Sequence, residues 1–200
     1  KAVARVNDGP RFEARVGEAL ARPGIRALAG HFRLNRMAPV LTAAGVEAPR
    51  YFALMRDPVD RLISAWNYFR KHEAAKWHET AKAMPMDEFI PYLAETEPHM
   101  VVGHQCRAIS EDGSTTFEAA RDSAEKNLAF LGCMEVMEAT NGIARAALGF
   151  GFDAGVRANA APRRQGLADV SPETRALIEK ITAEDQKLYD WARARIREAA

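Results

Sequence analysis

The sequence predicts an α/β fold, a parallel sheet layered with helices. Three observations carry this. The segment YFALM, Tyr51–Met55, lacks polar alternation, as do strands buried on both faces of a parallel sheet. Strand candidates alternate with segments of helical period. And YFALM runs into Arg56-Asp57-Pro58, after which a helical pattern begins at once.

In chain order, Phe12, Val16 and Leu20 place a helix over residues 11 to 22, ended by Pro23-Gly24. Residues 25 to 32, IRALAGHF, read as a short buried strand closing at Gly30-His31. A short helix is expected over 34 to 43, with Gly45 and Pro49 as breakers. From Pro58, the residues Val59, Leu62, Ile63, Trp66 and Phe69 make one apolar face, and the helix is expected to reach Ala83. Asp57 stands at the N-cap and Pro58 at the first helical position. Further helices are expected over 87 to 94, 117 to 130 and 136 to 149, with a strand over 130 to 135. A loop follows at 151 to 166. Ser171-Pro172 then opens a last helix, serine as cap and proline first.

Two hundred residues, 48% of them apolar, fit one domain. Lys plus Arg number 28 against 27 Asp plus Glu, so net charge supports neither a nucleic-acid nor a membrane-surface partner. No apolar run reaches the roughly 20 residues of a membrane helix. Cys106 and Cys133 form neither a disulfide framework nor a zinc pattern, and read as ordinary buried thiols. No metal site is expected. A cytoplasmic setting is the default, and the Ala- and Arg-rich composition suggests a bacterial source.

Ligands of open α/β sheets bind beyond the carboxyl ends of the strands. Arg56 lies at such an end, where the helix from Pro58 directs its free N–H groups. A guanidinium there matches a phosphate. Ser64, about two turns along, has a hydroxyl able to reach an anion on the helix side. The competing reading is an Arg56 ion pair with Asp57 or Asp60 and a serine without a role.

RDPVDRLISAWNYF, from Arg56, resembles the 3′-phosphate segment of sulfotransferases that use 3′-phosphoadenylyl sulfate (PAPS). The likeness is closest to the carbohydrate group that includes heparan sulfate 2-O-sulfotransferases. Gly30-His31 resembles the "GH" element of that group. NLAFLGCMEVMEATNGIARAALG, 127 to 149, resembles its "L…f…vG..E" segment, and ANAAPRRQG, 158 to 166, its late basic loop. DQKLYDWA, 185 to 192, resembles its closing "D..lY..a" helix. The resemblance covers residues 25 to 195. It implies a P-loop-NTPase-like three-layer fold with a central parallel sheet. It also implies PAPS as donor, PAP as product and no metal. Arg56 and Ser64 would grip the 3′-phosphate, Arg163 and Arg164 would close over the nucleotide, and His31 would be the general base. Histidine suits that task because its ordinary pKa lies near neutral pH.

The other histidines are weaker candidates. His72 and His78 are expected on a solvated helix face, and His104 could face the acceptor. The acceptor would be a hydroxyl, of a carbohydrate or a small molecule. One departure stands out. The family's "PKTGGTS"-like strand and phosphate loop have no counterpart in these residues, and the expectation is that they precede Lys1. That absence keeps a second reading open, a degenerate nucleotide- or glycan-binding module of the same fold. A third, a kinase-like phosphotransferase, would need a Walker lysine and a magnesium-binding acid, and neither motif is visible.

Overall fold

The computed structural model describes residues 3–151 and 167–199. The elements are β1 (Val3–Arg5), α1 (Phe12–Leu20), β2 (Ala27–Ala29), α2 (Leu34–Ala43), β3 (Tyr51–Met55), α3 (Pro58–Lys71), α4 (His78–Ala83), α5 (Met86–Thr96), α6 (His104–Ile109), α7 (Phe117–Asn127), β4 (Leu128–Cys133), α8 (Met137–Leu148) and α9 (Pro172–Ala199). Short 3₁₀ turns lie at Pro98–Met100, Met134–Val136 and Leu167–Asp169. The fold is mixed α/β and mostly helical.

The strands form two parallel pairs rather than the expected single central sheet. Among the described residues, β1 pairs with β2 and β3 with β4. This corrects a second expectation, since a strand does precede α1. Val3–Arg5 carries no strand signal of its own, being three residues long, and pairing with Ala27–Ala29 defines it. Gly30 makes its approach possible: a Cβ there would stand 1.8 Å from the Val6 carbonyl oxygen. A third correction concerns β3. Leu54 is 37% exposed, because its sheet has a single neighbouring strand and one face is only partly covered.

Three apolar clusters hold the elements. Phe12, Val16, Met37 and Leu41 join α1 and α2 beneath β1 and β2. Leu62, Trp66, Phe89, Ile90 and Ile178 pack α3, α5 and the first half of α9. Met55, Cys106, Cys133, Leu188 and Tyr189 pack the ends of β3 and β4 against α6 and the second half of α9. Each large side chain buried this fully contributes about 1.5–3 kcal/mol. Burial pushes both thiols up, Cys133 to about 12, so both stay protonated at neutral pH.

The helix from Pro58 ends at Lys71 rather than Ala83. His72 is extended there (φ −105°, ψ 103°), and the chain turns back into α4. Tertiary packing overrides the local pattern at this point. His78 is buried, not solvated as expected, and its Nδ1 lies 2.9 Å from the Phe69 carbonyl. Trp77 and Ala81 add to the apolar cluster around Trp66.

Candidate active site

The end of β3 is held by backbone hydrogen bonds to distant side chains. The Arg56 N–H donates to Gln105 Oε1 (3.0 Å), and Gln105 Nε2 donates to the Arg56 carbonyl (2.9 Å). The Asp57 N–H donates to Glu135 Oε1 (2.9 Å). Asp57 caps α3 as its sequence predicts, accepting from the Asp60 N–H at 3.0 Å. The Arg56 side chain is 25% exposed and stands 3.8 Å from Asp60 Oδ2. The ion pair anticipated as the competing reading is therefore present, at the outer limit of such contacts.

A further layer, all reached from α9, fixes these holders. Asp185, fully buried, accepts from the Gln105 N–H (3.0 Å) and the Cys106 N–H (2.8 Å), so it ties down the first turn of α6. Tyr189 Oη donates to Glu135 Oε2 at 2.9 Å. One turn of α9 thus supports both Gln105 and Glu135, and through them Arg56 and Asp57. Burial holds the Asp185 carboxyl above the usual carboxylate range; the two N–H bonds and Arg61 oppose this.

Ser64 is half-buried on α3, about 9 Å along the axis from Pro58. His31 lies just past the end of β2. Its N–H donates to Asn7 Oδ1 (2.9 Å), its carbonyl accepts from the Asp8 N–H (2.7 Å), and its side chain is exposed. Arg163 and Arg164 fall outside the described residues.

Two further titratable residues, Arg61 and His104, are largely enclosed. Arg61, on the first turns of α3, feels the charges of Arg56 and Asp185, and burial is the largest influence on its guanidinium. His104, at the start of α6, feels Arg61, Arg107 and His31. Burial, with the Arg61 and Arg107 charges, holds the His104 ring down to about 3, so it is neutral at pH 7. Arg56 at the junction of β3 and α3, Arg61 on α3, His104 at the start of α6 and His31 past the end of β2 are the candidate cluster.

The loop between β1 and α1 is of another kind. Asn7-Asp8-Gly9-Pro10 follows a strand and opens a helix, the order of a phosphate loop, but it contains an acid and no lysine. Asp8 is already paired, with Arg33 Nε at 3.1 Å and with Arg36.

The sequence reading missed Gln105 and assigned no role to Arg61, Glu135, Asp185 or Tyr189. All four did lie in the segments quoted for the resemblance, Arg61 in RDPVDRLISAWNYF, Glu135 in NLAFLGCMEVMEATNGIARAALG, and Asp185 and Tyr189 in DQKLYDWA. Gln105 had no sequence signal, because its partner is 49 residues away.

Fold and site together define an α/β protein with a basic site where strand ends meet the start of a helix. The model of the sulfotransferase family matches residues 29 to 192, a span that begins at the end of β2 and includes every residue of the cluster just described. The chain belongs to the sulfotransferase family, whose reaction is sulfuryl transfer and whose usual donor is PAPS. No curated protein and no solved structure matches the chain.

Proposed function

We propose that this protein moves the sulfuryl group of PAPS to a hydroxyl of a carbohydrate acceptor, with His31 as general base. The observation that carries the reading is the double lock on Arg56. Its backbone is held at both N–H and C=O by Gln105, so the root of its side chain is set at the start of α3. Fixing a charge in advance removes ordering cost from binding. The residues fit the donor. Arg56 and the α3 N-terminus suit a phosphate, the Arg61 Nε–H nearby is enclosed without a partner, and Ser64 is accessible along the helix side. Arg163 and Arg164 are assigned as further phosphate contacts from the sequence alone.

PAPS supplies an activated sulfuryl group. The acceptor oxygen bonds to sulfur, the bond from sulfur to the 5′-phosphate oxygen breaks, and the acceptor proton passes to His31. His31 suits the role because its backbone is tied at both N–H and C=O while its ring stays open to solvent. One observation favours the rival reading of a binding module without turnover. The β1–α1 loop offers no lysine to stabilise the leaving group, and its Asp8 is taken up by Arg33 and Arg36.

The test is calorimetric titration with adenosine 3′,5′-bisphosphate against ADP, which differ in the 3′-phosphate. Preference for the 3′-phosphate is expected, and Arg56→Ala should weaken it by about 1.5–3 kcal/mol, the range of a hydrogen bond to a charged group. Equal affinity for the two nucleotides removes the reading. With PAPS and an acceptor, His31→Ala should lose rate and keep nucleotide affinity, whereas full activity of that variant would dismiss His31 as base.

A further inference from the structure

Three donors converge on one carboxylate in the loop between β1 and α1. Asp8 Oδ1 accepts from the Gly9 N–H (2.9 Å) and from Arg36 Nη1, and Asp8 Oδ2 accepts from Arg33 Nε (3.1 Å). A loop N–H with two guanidinium groups is the donor set that a phosphate or a sulfate calls for. Here the chain's own acid fills it.

The cluster is larger than one ion pair. Arg36 Nη2 donates to Glu13 Oε1 at 2.7 Å, and the Arg36 guanidinium lies 4.8 Å from the centre of the Phe12 ring. Arg15 Nη2 donates to the Asn7 carbonyl at 2.9 Å. Arg15, Arg33 and Arg36 thus face only Asp8 and Glu13, and the balance at the loop is positive. The Arg33 and Arg36 side chains are 36% and 30% exposed, enough for a ligand to reach them.

The same loop is bonded to His31. The Asp8 N–H donates to the His31 carbonyl at 2.7 Å, and the His31 N–H donates to Asn7 Oδ1 at 2.9 Å. Arg33 follows two residues later, at the start of α2. The reaction fixes what must lie here. A base takes its proton from the oxygen that attacks sulfur, and one bond beyond sulfur is the 5′-phosphate oxygen that leaves. The donor's phosphosulfate therefore lies beside the base. Asp8, bonded to His31, is the residue that holds Arg33 and Arg36.

We propose that Arg33 and Arg36 are the cations for the donor's 5′-phosphosulfate, in place of a phosphate-loop lysine, and that Asp8 holds their place until the donor enters. The inference rests on the sulfotransferase reading with His31 as base, and it supplies the cation that the loop itself lacks. Rotation of Asp8 about χ1 withdraws the carboxylate while its N–H stays bonded to His31. The phosphosulfate brings two negative charges against one, so it holds the guanidinium pair more strongly. As the bond from sulfur to the 5′-phosphate oxygen breaks, charge gathers on that oxygen, where two guanidinium groups already stand. Asp8 is a competitor of the donor.

The experiment is calorimetric titration of the full chain, at fixed salt, with adenosine 3′,5′-bisphosphate and with adenosine 3′-monophosphate. The two differ only in the 5′-phosphate, so the ratio of their affinities reads the 5′ subsite. The wild type is expected to favour the bisphosphate. Arg33→Met and Arg36→Met should each cut that preference by about tenfold, the scale of a hydrogen bond to a charged group, and leave the monophosphate affinity within about twofold. Asp8→Asn should raise bisphosphate affinity by about threefold or more, because the competing charge is gone. A carboxylate that only braces the loop would not give a gain. If Asp8→Asn fails to fold, Glu13→Gln decides: that exposed carboxylate also holds Arg36, and its loss should give a smaller gain of the same sign. Unchanged or lower bisphosphate affinity in the carboxylate variant, an unchanged preference in the arginine variants, or a wild type indifferent to the 5′-phosphate overturns the inference. Asp8 then braces the loop against α2, and a retained preference for the bisphosphate over ADP leaves the sulfotransferase reading standing. Indifference to both the 3′- and the 5′-phosphate removes the two together.

Discussion

Asp185 shows how far a site residue can be from the site. It touches no candidate catalytic group, yet it holds the α6 N–H groups that orient Gln105, and Gln105 grips Arg56. Removing a buried acceptor leaves its donors unsatisfied, and each such loss is costly. Asp185→Ala should therefore destabilise the protein by about 2–4 kcal/mol in urea denaturation. Asp185→Asn keeps an oxygen for the two N–H groups and should cost about 1 kcal/mol or less. Equal losses for the two variants would show that charge toward Arg61, rather than hydrogen bonding, is what Asp185 contributes.

Among elements, the seam between β4 and α8 depends on the absence of a side chain. A Cβ on Gly132 would stand 2.4 Å from Thr140 Cγ2 and 2.8 Å from Leu54 Cδ2. Thr140 cannot yield freely, because its hydroxyl donates to the Cys133 carbonyl and accepts from the Cys133 N–H. Gly132→Ala should lower stability by about 1–3 kcal/mol, the usual effect of overpacking, read as a shift in urea midpoint at unchanged slope. An unaffected midpoint would mean that α8 slides on β4 without loss. The elements also mark what was legible in the sequence. Local chemistry was: Asp57 caps α3, and Ser171 Oγ accepts from the Thr174 N–H at the start of α9. The apolar stripe Leu62, Ile63, Trp66 was read correctly because a helix imposes its own period. Features made by partners distant in sequence were not legible. β1 exists through its pairing with β2. α3 stops at Lys71 because Trp77 and His78 have neighbours waiting across the turn. At the site, Arg56 was visible as a strand-end cation, whereas the Gln105 clamp joins segments that no local pattern connects.

At the scale of the molecule, acid should act through His104. Its ring titrates near 3 in the folded chain and near 6.5 in an unfolded one. Below pH 6.5 the unfolded chain takes up a proton that the folded chain refuses, so stability is full above 6.5 and falls as the pH drops toward 3. The total is on the order of a few kcal/mol. Asp185 works in the opposite sense, since its raised carboxyl favours the folded chain as it becomes protonated. Stability measured between pH 7 and 4 should fall more steeply in the wild type than in His104→Leu, and equal slopes would place the acid sensitivity elsewhere.

The long helix α9 supplies Ile178 to one apolar cluster and Leu188 and Tyr189 to another, and its Asp185 and Tyr189 secure the holders of Arg56. A ribosome delivers these residues late. While they are still in the exit tunnel, Gln105 and Glu135 lack their anchors. The two side chains that hold the Arg56 and Asp57 backbone therefore gain their own supports only once translation has passed α9.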